Sequence, residues 1–437
     1  MEWWQFLLAF FSGLGILLII GLPVAFAFLL VNMVGVYFLW GGTSGFNQIV
    51  MSIESSISTF VLVPIPMFVL MGAIMFHSGI ARKMIDVLDH WIGFVAGRLA
   101  VLAITTGAVL GALTGVAMGS VAILGSALLP EMRERAYAKS MTLGPILASG
   151  SLAILIPPST LAIVLASLGG FSVAKILVAI VVPGLLLAVM YATYIVLRCV
   201  LNPKLAPAYQ VPQVPMSQRL KETFIHLIPP VSIIVFVILA IFYGVATPTE
   251  AAALGAFVTC ILAGLYGYLN WKMMRTSIAS ATSLSIMVLI ILTGSAGFSQ
   301  LLSFAGVTTA ITNFATDLPV HPIILLILMQ LVVMFLGMFL EQTSIVLVTV
   351  PIFLPIINAL GWDPIWFGTI MMLNLEMATI TPPFGLSLFV MKGIAPPDVT
   401  IGDIYKAAVP FILINILLMA LMIAFPQIVL GLPNMMN

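Results

Sequence analysis

The sequence predicts an all-α polytopic membrane protein made of two halves related by an inverted repeat. Three observations carry this. Of 437 residues, 62% are hydrophobic and only 7% charged, against about half and about one quarter in soluble domains. Apolar runs of spanning length recur along the whole chain, and the same markers recur in the same order in each half. Fifteen Lys and Arg with fourteen Asp and Glu cannot solvate the surface of a soluble chain of this length. A mean hydropathy of +1.26 agrees. A secreted enzyme, a nucleic-acid binder and a disordered chain are excluded, and the runs suit helices rather than barrel strands. The net charge of +1 offers no long-range field to a partner. Cys199 and Cys260 lie in or beside apolar runs and read as packing residues. The start, Met1-Glu2-Trp3-Trp4, has no basic region or cleavage site, so it reads as a retained first span.

A spanning helix needs about 20 apolar residues. Ten segments meet this: 4–21, 23–40, 63–79, 140–166, 173–198, 225–243, 250–269, 280–297, 365–391 and 407–425. Two further stretches, 98–130 and 322–356, are too long for one span. The first is interrupted by Thr114-Gly115-Val116-Ala117-Met118-Gly119-Ser120, the second by Glu341-Gln342-Thr343-Ser344. Each is two spans or one re-entrant hairpin. With the N-terminus outside and both stretches re-entrant, fourteen of the fifteen basic residues fall on the cytoplasmic side, Lys175 being the exception. Two full spans would keep that bias. The uncharged first tip and the limb glycines Gly107, Gly111 and Gly125 favour close packing, and hence re-entry.

The repeat is read from spacing. Leu155-Ile156-Pro157-Pro158 is matched by Ile380-Thr381-Pro382-Pro383, and Pro130 stands as far before Pro157 as Pro355 does before Pro382. Val182-Pro183 pairs with Val409-Pro410, and Gly72 and Phe76 with Gly294 and Phe298. Each half then has three spans, a hairpin and two spans. Five crossings invert the second copy, the arrangement of secondary transporters. Residues 1–97 are the scaffold helices and arm of the first repeat, and 98–198 its transport half. Residues 199–224 form a proline-rich cytoplasmic linker. Residues 225–321 are the second scaffold and arm, and 322–437 the second transport half. Residues 80–97 are amphipathic, with Arg82, Lys83, Asp86 and Asp89 on one face and Ile80, Met84, Leu88 and Trp91 on another. This is an interfacial helix or an arm between a fixed and a moving part.

Mid-span proline pairs remove helix hydrogen bonds and push the preceding residue out of the α region. Both spans must break, and freed backbone groups at membrane depth are tolerated only where they line a cavity or bind something. Around the first break lie Ser149, Gly150, Ser151 and Ser159, with Thr114, Gly115, Gly119 and Ser120 at the hairpin tip. Around the second lie Asn374, Thr379, Thr381 and Gly385, with Gln342, Thr343 and Ser344 at the tip. Neutral oxygens beside small residues suit Na⁺, so one Na⁺ site per repeat is expected. Glu341 and Glu376 are the acids placed at membrane depth in the second half. Each could bind a cation, carry a proton or satisfy helix N-termini. With no Lys or Arg in the expected core, an anionic solute depends on helix ends, hydroxyls and bound cations. Metalloprotease, nucleophile-elbow and Walker motifs are absent, so no enzyme and no ATP-driven pump is expected. The competing reading is a channel or membrane scaffold.

The run Ser149–Ser159, with Gly125-Ser126-Ala127-Leu128-Leu129-Pro130-Glu131-Met132, resembles the large membrane subunit of TRAP transporters (tripartite ATP-independent periplasmic transporters, DctM-like). So do Val350-Pro351-Ile352-Phe353-Leu354-Pro355, Gly361-Trp362-Asp363-Pro364 and Thr381-Pro382-Pro383-Phe384-Gly385. The resemblance implies an elevator-type fold and Na⁺-driven import of an organic acid across a bacterial inner membrane, with Na⁺ as coupling ion and no other cofactor. It implies two partners, a small membrane subunit (Q type) and a periplasmic substrate-binding protein (P type). The two clusters would be the Na⁺ sites, and Thr114, Ser159, Glu341, Asn374, Glu376 and Phe384 would face the solute. Two departures add polar groups: Glu341-Gln342-Thr343 stands for a common Asp-Pro-Thr, and Asn374-Leu375-Glu376-Met377-Ala378 for Asn-Leu-small-small-Gly.

Overall fold

The structure, a computed structural model, describes residues 3–93, 95–114, 117–207 and 214–436. All regular elements among them are helical. The first half has α1 (Trp3–Ile19), α2 (Val24–Leu39), α3 (Thr43–Ile57), α4 (Pro64–His77) and α5 (Ile80–Trp91). It continues with α6 (Arg98–Thr114), α7 (Ala117–Glu134), α8 (Lys139–Gly150), α9 (Thr160–Gly169), α10 (Val173–Ala179) and α11 (Val181–Leu201). The second has α12 (Met216–Glu222), α13 (Ile228–Phe242), α14 (Pro248–Leu265), α15 (Trp271–Phe304) and α16 (Val307–Asp317). Then follow α17 (Pro322–Gly337), α18 (Gln342–Ala359), α19 (Pro364–Thr379), α20 (Leu386–Ile394), α21 (Ile401–Ala424) and α22 (Gln427–Leu430).

Among the described residues seven helices are long and apolar enough to cross a membrane, and several others are apolar but shorter. Six of the ten expected segments are among the seven, the other being α18 of the second hairpin; 4–21 and 23–40 form helices of 17 and 16 residues, just short of that length. The segments 140–166 and 365–391 are not rods: the chain leaves the helix after Gly150 and re-enters it at Thr160, and leaves after Thr379 to re-enter at Leu386. The Pro157-Pro158 and Pro382-Pro383 peptide bonds are both cis. Helix α3 has no counterpart among the expected spans, because Asn47, Gln48, Ser52 and Glu54 dilute its apolar content. Helix α15 runs well beyond both ends of the expected 280–297.

Two apolar clusters hold the molecule. The larger joins α4, α5 and both hairpin and broken-helix groups with α13 and α14. The smaller is an aromatic knot of α1, α2 and α15, where Phe298 stacks on Phe10 at 4.3 Å and meets Phe28 edge-on at 5.8 Å. Each half passes from an apolar helix to an amphipathic one through a left-handed glycine, Gly79 (φ 83) before α5 and Gly306 (φ 69) before α16. A side chain there would be strained.

A hydrogen bond also ties α18, whose Val348 belongs to the knot, to α15. Pro351 has no N–H for the Leu347 carbonyl four residues back, and Ser295 Oγ of α15 donates to that carbonyl at 3.2 Å. Ser295→Ala is expected to lower the thermal midpoint by the equivalent of about 1 kcal/mol, the net worth of one buried bond. An unchanged midpoint would show that the carbonyl is satisfied otherwise.

Candidate cation and solute site

Hairpin and break are brought together by missing side chains. An ideal Cβ on Gly107 of α6 would lie 2.3 Å from Ser149 Cβ, and one on Gly111 would lie 2.5 Å from Ala153 Cα. In the other half a Cβ on Gly337 of α17 would lie 2.3 Å from Ala378 Cβ. Each hairpin therefore lies directly on the last turn before its break. The second limbs cross over: α18 packs on α9, and α7 on α20. Gly184 of α11 seats the first break from the other side, its ideal Cβ falling 2.3 Å from the Leu155 carbonyl oxygen.

At the first break Ser149, Ser151 and Ser159 are all buried. Ser149 Oγ donates to the Ile146 carbonyl at 2.6 Å, and Ser159 Oγ accepts from Ala162 N, capping α9. Ser151 Oγ neighbours the Tyr191 hydroxyl, which accepts from Asn415 Nδ2 at 2.6 Å, yet Ser151 closes no direct hydrogen bond. Gly150 and Ser120 are buried, and Gly119 is half-buried. Gly115 lies outside the described residues, as does the side chain of Thr114.

At the second break Thr379 Oγ1 donates to the Glu376 carbonyl at 2.8 Å, and Thr381 Oγ1 to the Met377 carbonyl at 2.7 Å. Ser387 Oγ donates to Thr379 Oγ1 at 3.3 Å. At the tip Glu341 caps α18: its carboxyl accepts from Thr343 N at 3.0 Å, Thr343 Oγ1 at 2.9 Å and Ser344 N at 3.4 Å. Thr343 and Ser344 are buried, and Gly385 is buried at the start of α20. The pattern has chemical meaning. The hydroxyl protons of Ser149, Thr379 and Thr381 all point at carbonyls, so the free valence they present is lone pairs. Such oxygens fit a hard monovalent cation.

The two acids part company. Glu341 satisfies a helix N-terminus. Glu376 is wholly buried, and both its carboxyl oxygens lack a partner. Gln342 is its side-chain neighbour, but Gln342 Nε2 is also buried without a bond. Asn374 is engaged elsewhere, donating to Gln330 Oε1 at 2.9 Å and to the Gln330 carbonyl at 2.6 Å. Phe384 is not gathered into the buried cluster: it is 48% exposed and its ring lies 5.3 Å from that of Phe339. Sequence reasoning missed Tyr191, Gln330, Ser387 and Asn415. Their signal was available as single polar residues inside apolar runs.

A cavity of about 920 Å³ opens between α5 and the limbs α6 and α7. Arg82, Lys83, Ile123, Ser126, Glu131 and Glu222 are among its lining residues.

Two broken helices, each clasped by a helical hairpin in a strongly apolar chain, suit a multi-pass membrane protein, and the relatives it matches are transporter permeases rather than enzymes. Residues 11–428 match the family described as tripartite ATP-independent periplasmic transporter, DctM component, and the chain belongs to that family. It is 33% identical to the C4-dicarboxylate TRAP transporter large permease protein DctM of Pseudomonas aeruginosa, over 86% of each chain. It is 28% identical to the isethionate TRAP transporter permease protein DctMQ of Oleidesulfovibrio alaskensis, over 96% of this chain and 65% of that one. The fold is similar to that of the Alcanivorax borkumensis YdaH transporter, with a TM-score of 0.65 at 14% identity over 90% of this chain and 91% of the other.

Proposed function

We propose that this chain is the large subunit of a Na⁺-driven importer of an organic acid, resident in a bacterial inner membrane. The observation that carries the reading is the pair of broken helices at which the buried hydroxyls of Ser149, Thr379 and Thr381 donate to carbonyls and keep lone pairs for a cation. A Na⁺ ion would be held at the first break by Ser149, Gly150, Ser151, Gly119 and Ser120, and at the second by Gln342, Thr343, Ser344, Thr379, Thr381 and Gly385. Bound there, Na⁺ supplies the positive field that the chain's own side chains lack at that depth. The solute carboxylate is then held by tip backbone and hydroxyl groups beside that field.

The two halves share the order scaffold helix, left-handed glycine, amphipathic arm, hairpin, broken helix, spanning helix. This supports an inverted repeat in which α6–α9 and α17–α20 move together as one transport body, elevator-fashion, against the scaffold. The cavity between α5 and hairpin α6–α7 supports a state open on the basic, cytoplasmic side. The working assembly includes a small membrane subunit and a periplasmic binding protein. The large and small parts joined in the name of the DctMQ relative support the first partner.

The test is uptake into proteoliposomes carrying the assembly, with radiolabelled carboxylates chosen by thermal shift of the cognate binding protein. Uptake is expected to require an inward Na⁺ gradient and to vanish when choline replaces Na⁺. Uptake of equal rate under a proton gradient alone overturns the coupling.

A further inference from the structure

We propose that Glu376 is the anionic ligand of the second cation site, so that the two cation sites differ in charge. The inference rests on the Na⁺ reading above and deepens it. Position is the first argument. Ser151 stands six residues before Pro157, and Glu376 six residues before Pro382. The two side chains therefore share a register to their proline pairs, Ser151 just past the end of α8 and Glu376 in the last turn of α19. Both present buried side-chain oxygens with no hydrogen-bond partner.

Electrostatics is the second. Glu376 is wholly buried in the last turn of α19, at the end of the helix that carries excess partial negative charge. Among the described residues no Lys or Arg forms an ion pair with it. A buried carboxylate without a counter-charge is held at a cost of several kcal/mol. The groups beside it belong to the site already described. Thr379 Oγ1 bonds the Glu376 carbonyl, and Gln342, from the hairpin tip, neighbours its carboxyl. A cation at that tip answers the charge. It follows that the second site binds Na⁺ more tightly than the all-neutral first site, and fills first.

The test uses the purified full chain in lipid nanodiscs, titrated with NaCl against choline chloride at constant ionic strength, with the thermal midpoint as readout. Wild type is expected to gain stability with Na⁺. Glu376→Gln is expected to need at least tenfold more Na⁺ for half the gain, and to melt no lower than wild type without Na⁺, because it carries no buried charge. Glu376→Asp is expected to fall between them, and it serves as the measurement should the Gln variant fail to fold. An unchanged Na⁺ midpoint in the variant measured overturns the proposal; it is the result a proton permanently held on Glu376 would give. A wild-type chain indifferent to Na⁺ overturns the sodium reading itself, which separates the two failures.

Discussion

Gly107→Ala is expected to cost about 3 kcal/mol of stability and to abolish uptake. The added methyl has nowhere to go. Its carbon would fall 2.3 Å from Ser149 Cβ and 2.8 Å from both Ser149 Cα and the Ser149 carbonyl oxygen. None of these atoms can swing aside, so the hairpin limb α6 must lift off the first break, and overpacking of this kind costs ~1–3 kcal/mol or more. Lifting it separates the limb from the very oxygens assigned to the first cation. Gly15→Ala is the control: an added Cβ there meets nothing within 4 Å, and alanine is the better helix former by about 1 kcal/mol. The measurements are thermal midpoint and uptake for both variants. A Gly107→Ala protein that melts and transports like wild type would show that hairpin and break are not in fixed contact.

Asp89→Ala is expected to be the most damaging change at the arm, at about 2 kcal/mol. Arg98, the first residue of hairpin 1, is buried, and Asp89 of α5 receives its Nε at 3.1 Å and Nη2 at 2.6 Å. The same Nη2 reaches the Asp89 carbonyl at 3.3 Å. Removing one partner of a buried pair costs ~3–5 kcal/mol because the other charge stays behind; with Asp89 one third exposed, solvent recovers part of that. The double variant Asp89→Ala, Arg98→Leu is expected to be more stable than Asp89→Ala alone. Equal loss in both would mean that the guanidinium finds water and the pair does not tie arm to hairpin.

These two positions differ in how they read as sequence. Gly107 and Gly111 announced close packing, because small residues in an apolar limb have little other use. Asp89 and Arg98 did not announce each other. In the sequence Asp89 belongs to an amphipathic face and Arg98 opens the apolar stretch 98–130, and only the packing of α5 on α6 brings them together. The same holds for Asn374, whose amide bonds Gln330 on the facing helix. It holds again for Phe384, whose ring packs on Phe339. Helix α3 escaped because its amphipathic pattern is not that of a span.

By itself the sequence determined that the chain is helical and apolar, where six of its seven long apolar helices lie, and that two further apolar segments break at double prolines. Those are local consequences: a proline lacks its N–H wherever the chain goes, and apolar runs of sufficient length are helical in lipid. Tertiary structure decided which carboxylate is satisfied. Glu341 and Glu376 are the same residue type in the same half, but one folds back onto the N–H groups of α18 while the other is enclosed with no donor closing on it. Whether a buried charge finds a partner depends on what the neighbouring helices present to it, and that is a property of packing that no spacing along the chain encodes.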